Sequence, residues 1–120
     1  MSIWGTMKIA ACALLCLTGP GLAASACLFT AECFEADGCA ESGFTLDLAD
    51  ADDAGRVVAA TEFGDLTGRG LERAAVGVSY VLEGAGAVYL LTMSGTDARL
   101  SVHMEGPIVA TYLGTCDAGQ

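Results

Sequence analysis

The sequence predicts an all-β fold, a small antiparallel meander of about six strands, rolled into a barrel or folded as a sandwich and stapled by disulfides. Three observations carry that expectation. Apolar and polar residues alternate through most of the chain after Gly43. The connectors between the apolar runs are short and rich in Gly, Asp and Ser, which suits tight turns and leaves no room for a helical crossover. Four cysteines lie beyond an amino-terminal export pattern, an even number that reads as two disulfides formed in an oxidising compartment.

The export pattern starts at Met7, with residues 1 to 6 read as an upstream choice of start. Lys8 supplies one positive charge, an apolar run follows from Ile9 to Leu17, Gly19-Pro20 breaks it, and small residues end at Ala24-Ser25-Ala26. That order is the secretory signal, with cleavage expected after Ala26. The apolar run is about half the length that crosses a bilayer, so it is read as a signal core rather than an anchor. Residues 1–26 are thus assigned to the signal, residues 27–43 to a Cys-rich segment and residues 44–120 to the β-domain closed by Cys116. Cys12 and Cys16 leave with the signal.

The whole chain carries a formal charge of −10, and every acidic residue lies beyond residue 26. Loss of Lys8 makes the remainder more negative still, with Arg56, Arg69, Arg73 and Arg99 as its only bases. Such a field repels phosphate backbones and anionic head groups, which argues against nucleic-acid or membrane-surface binding. It attracts a basic protein or a cation.

Cys27, Cys33 and Cys39 stand at the front and Cys116 near the end. Three pairings are open, and in each of them Cys116 joins one of the front three. The long bridge removes about 4.5 kcal/mol of unfolded-chain entropy and the short one about 2.5, against a total stability of about 5 to 15 kcal/mol for a domain of this size. The short clip is expected around Asp37-Gly38. Two other uses compete for these cysteines. A lipoprotein acylated at Cys27 would want leucine where Ala24 stands, and zinc binding would want closer cysteine spacing.

The strands follow in order. In FTLDLAD, Phe44, Leu46 and Leu48 alternate with polar residues. The turn ADADDAG leads to RVVAATEF, and then GDLTGRGLERA breaks the rhythm with three glycines, so residues 66 to 75 are the one place allotted a short helix. AAVGVSYVLE, AVYLLTM, RLSVHM and IVATYL complete the set. VSYVL and AVYLLTM are apolar on both faces, which predicts central strands covered on both sides, around either a filled core or a ligand cavity.

No assembled catalytic motif is present, and a non-enzymatic protein without a cofactor is expected. His103 is the single histidine and alternates onto the wet face of its strand; Ser79 sits in GVSYV without the second glycine of a nucleophile elbow. No Cys-x-x-Cys exists beyond the signal. Asp47, Asp50, Asp52 and Asp53 gather hard oxygen ligands suited to calcium. Against the EF-hand loop, Asp50, Asp52 and Gly55 fit, but Ala54 and Thr61 fall where ligands belong, and Glu62 is one residue late. Arg69 and Arg73 form the one basic cluster, able to grip an anion, a partner or nearby carboxylates.

Two functions follow from different premises. The first is an exported interaction module, periplasmic or extracellular, whose acidic face docks on a basic partner. SGTDA at Ser94 to Ala98 begins like the Ser-Gly/Ala-x-x-Tyr loop of the bacterial C-type lysozyme inhibitors, and in size, export signal and β-rich pattern the chain resembles that family. The tyrosine is missing, and no inhibitory residue is carried over. What the resemblance implies is an inhibitor of a basic cell-wall hydrolase. The second function is a small-ligand binder, of calcium at the aspartate turn or of an apolar molecule inside the barrel.

Overall fold

The computed structural model describes residues 25–71 and 77–117. Eight strands run in sequence order: β1 (Ser25–Phe34), β2 (Gly38–Leu48), β3 (Arg56–Thr61), β4 (Gly64–Leu71), β5 (Val78–Gly84), β6 (Ala87–Ser94), β7 (Asp97–Met104) and β8 (Ile108–Asp117). Each pairs antiparallel with the next, and β8 returns to β1, so the sheet closes as a barrel. Closure gives every strand two neighbours, although β2 meets β3 only over Leu46–Leu48, which leaves its first residues, 38–45, paired on the β1 side alone. Between β1 and β2 the chain makes a single 3-10 turn, Glu35–Asp37.

The fold is all-β as expected, with eight strands in place of six. The two additional strands are β1 and β4, and each hides its pattern for a physical reason. In β1 the register shifts between Phe29 and Ala31 against both neighbours, so the alternation that buries Cys27 and Phe29 is lost before Cys33. In β4 the glycines that suggested a break are what the sheet requires. A Cβ on Gly68 would lie 1.8 Å from the carbonyl oxygen of Val81 in β5, and one on Gly70 would press against the Tyr80 ring. The expected helix at residues 66 to 75 is therefore overturned as far as Leu71, and its remainder lies outside the described residues.

Alternation fills the interior. Leu46 and Leu48 from β2, Leu66 from β4, Leu82 from β5, Leu91 from β6 and Leu100 from β7 are fully buried around Phe29. Burying each such side chain is worth roughly 1.5–3 kcal/mol. The expectation that the central strands are covered twice is also overturned. Val88 and Leu90 are 47% and 40% exposed on the outside of β6, because a single closed sheet has only one inner face to bury.

Both disulfides hold β1. Cys27 bonds to Cys116 where the two stand opposite each other on β1 and β8, joining the first and last strands. Cys33 bonds to Cys39 across the first hairpin, around Asp37-Gly38. The sulfur of Cys27 thus has no valence left for a lipoprotein thioether.

The up-and-down order sorts the turns. Those joining β1 to β2, β3 to β4, β5 to β6 and β7 to β8 lie at one end of the barrel, the hairpin end. The aspartate turn between β2 and β3, the β6–β7 turn and both ends of the described chain lie at the other.

Candidate binding site

The hairpin end is aromatic within and acidic around the rim. Phe44 lies 6.2 Å from Phe29, 5.2 Å from Tyr112 and 5.9 Å from Phe63, centroid to centroid, the last pair nearly parallel. Phe63 sits on the β3–β4 turn and is 66% exposed, a costly place for a phenyl ring unless it has something to cover or to meet. With Phe34, Tyr89, Val102 and Met104, the rings of Phe44, Phe63 and Tyr112 wall a cavity of about 290 Å³. That is at the lower end of the volumes that hold small ligands, about 300–1,000 Å³.

A second cavity adjoins it. It shares Phe44, Phe63 and Tyr112 with the first and adds two carboxylates, Glu32 and Glu62. Glu32 reaches this position through the register shift in β1. Phe29 lies on the inner face, and regular alternation would turn Glu32 outward. After the shift Glu32 stands opposite Tyr112, which pairs in turn with the fully buried Leu100. Bulges re-aim side chains in this way, often beside functional sites. The Tyr112 hydroxyl donates a 2.9 Å hydrogen bond to Glu32 Oε2. Burial first, and then the Glu32 carboxylate, push the Tyr112 phenol up to about 12. Burial also raises the pKa of Tyr89.

The rim carries one sign of charge. Glu35 and Asp37 lie on the first hairpin turn, Glu62 on the second and Glu105 on the fourth. Glu35 is fixed in place, its Oε2 accepting from the backbone N–H of Val109. Among the described residues, Arg56, Arg69 and Arg99 all lie toward the opposite end.

That opposite end holds the other residues singled out in the sequence. Asp47 lies on β2, while Asp50, Asp52 and Asp53 lie on the following turn, all exposed. Asp52 uses its carboxylate within the turn: Oδ1 accepts from the N–H groups of Ala54 (2.8 Å) and Arg56 (2.9 Å). Those contacts hold its pKa below the usual carboxylate value, with the Arg56 N–H the largest influence. Among the described residues no three His, Cys, Asp or Glu side chains gather as a metal site. Arg69 stands opposite Arg56 across β3–β4, beside Gly55 of the same turn. Like charges so placed repel, and Asp52 attracts Arg56 in return. Arg73 lies outside the described residues. Ser94 to Ala98 form the tight β6–β7 hairpin, with Ala98 buried. His103 is exposed on the outside of β7, within 3.1 Å of Ser101.

Sequence reasoning thus missed the aromatic end altogether. Its phenyl and phenol groups come from β1, β2, β6, β8 and a turn, and only closure of the barrel brings them together. The available signal was Phe63, an apolar residue placed where a hairpin tip wants polar ones.

Fold and site together define a small, doubly disulfide-bonded antiparallel barrel with a cupped, acid-rimmed end. No protein-family model, curated protein or solved structure matches the chain.

Proposed function

We propose that this protein is an exported, non-enzymatic binding module that docks on a basic partner through the hairpin end of its barrel. The observation that carries the reading is the uneven charge along the barrel: among the described residues the hairpin end carries acids alone, while the other end mixes aspartates with the arginines. Glu32, Glu35, Asp37, Glu62 and Glu105 surround an aromatic surface at one end, and the described arginines lie toward the other. A single-signed rim steers a basic partner, and exposed rings such as Phe63 supply the apolar contact that holds it. Two disulfides suit an oxidising compartment, the periplasm or the exterior. In its most concrete form the partner is a basic cell-wall hydrolase such as lysozyme.

The test is turnover of lysozyme at low salt with and without micromolar oxidised protein spanning residues 27–120. Inhibition that fades as salt is added, and weakens in E35Q/E62Q, supports docking at this end. Unchanged turnover together with no complex by gel filtration removes the hydrolase from consideration. A second reading, a small-ligand binder, is favoured by the aromatic cavity itself. The calcium form of that reading has no assembled ligand set among the described residues.

A further inference from the structure

The two cavities at the hairpin end differ in chemistry but share a wall. One is apolar, lined by Phe34, Tyr89, Val102 and Met104, and the other presents Glu32 and Glu62. Phe44, Phe63 and Tyr112 belong to both. A neutral apolar molecule would fill the first and leave the carboxylates unused. An anion would be repelled by both of them. A small inorganic cation would have to shed tightly held water to reach the rings, whereas an organic ammonium is attracted to aromatic faces and to carboxylates together. We propose that the hairpin end is a binding site for an organic ammonium with a compact aromatic or alkyl body, the body seated among the rings and the ammonium against Glu32 and Glu62.

Two features prepare the site. Glu32 is turned to the inner face by the register shift and held there by Tyr112, so its position is set before a ligand arrives. Phe63 lies flat against Phe44 at the shared wall, where its ring can cover the bound body. The inference rests on the hairpin end being the binding end but does not need the partner to be a hydrolase. Failure of the lysozyme test with ammonium binding intact would remove that partner and leave this site standing. Lysozyme inhibition without ammonium binding would do the reverse.

The experiment is calorimetric titration of the oxidised protein, at neutral pH and low salt, with phenethylammonium, 2-phenylethanol and ethylammonium. Phenethylammonium is expected to bind at least roughly tenfold tighter than either control, since one loses the charge and the other the ring. E32Q/E62Q is expected to bring phenethylammonium down to the affinity of the alcohol. Equal binding of the alcohol would show a purely apolar pocket, equal binding of ethylammonium would show diffuse surface charge, and no binding would show no site; each overturns the proposal. Should E32Q/E62Q not fold, F63A serves instead. It is expected to weaken phenethylammonium at least roughly threefold while leaving ethylammonium unchanged, and an unaltered affinity overturns the proposal.

Discussion

Tyr112 and Glu32 are 80 positions apart in the chain and meet in a 2.9 Å hydrogen bond across the seam between the first and last strands. The pair does locally what the barrel does globally, bringing the two ends of the chain together. It also reports on closure through the ionisation of a single phenol.

Alkaline titration should show this. Tyr112 holds its proton up to about 12, against an ordinary value of 10.0. A pKa raised in the folded state stabilises fully below the unfolded value and is lost as pH rises through the folded one. Stability from this group is therefore intact up to about pH 10 and falls between there and about pH 12. Phenolate absorbance should lose its latest step in Tyr112→Phe. In E32Q that step should move only part of the way down, since burial is the larger cause. A titration unchanged by Y112F would contradict this assignment.

The two disulfides should differ in worth. Cys27–Cys116 spans 89 positions and Cys33–Cys39 only 6. By loop-closure entropy, replacing both members of the long bridge with serine should cost about 4.5 kcal/mol, and of the short one about 2. Denaturant unfolding measures both, and equal losses would show that chain entropy is not the controlling quantity.

Close backbone approach should make one glycine irreplaceable and another free. A Cβ at Gly114 would lie 2.1 Å from the carbonyl oxygen of Leu28 on β1, and one at Gly43 meets nothing within 4 Å. Gly114→Ala should cost about 2 kcal/mol or more, because a backbone rather than a side chain must move. Gly43→Ala should fall within about 0.5 kcal/mol of the parent protein. Thermal melts of the two variants decide the matter.

Calcium should do little. Asp52 spends its carboxylate on backbone N–H groups, and among the described residues no three ligating side chains gather around it. Millimolar calcium is expected to raise the melting temperature no more than sodium chloride of equal ionic strength, since a specific ligand stabilises by mass action and a screening ion does not. A further rise would establish a metal site. The depressed Asp52 pKa points to an acid-side effect instead. Its contribution is present above the ordinary carboxylate value of 3.8 and is lost as pH falls through the lower folded value. Asp52→Ala should therefore destabilise at neutral pH and become silent in strong acid.

Local sequence carried much of the fold. Leu46, Leu48, Leu100 and Val102 show their period of two directly, and all four are buried. The cysteine count pointed to two bridges, but only strand register chooses the pairing, because it sets Cys27 opposite Cys116 and Cys33 opposite Cys39. β4 was hidden because Gly68 answers to a neighbour on β5 that is distant in sequence. The aromatic end was hidden for a related reason. Glu32 reads as a surface residue until the shift after Phe29 is known, and Phe44, Tyr89 and Tyr112 read as separate core positions until the sheet closes. Net charge announced an excess of acids without saying which end of the barrel carries them apart from the arginines.

The described chain enters at Ser25 and leaves at Asp117 from the pole farthest from Phe63 and Glu62. A linker or solid support attached where the described chain enters and leaves, at Ser25 or Asp117, would therefore trail behind the molecule like the stalk of a cup. Its open face would look outward from whatever surface holds it, free to sweep the surrounding solution. A protein tethered at either of these two points should accordingly keep the reach of the free one.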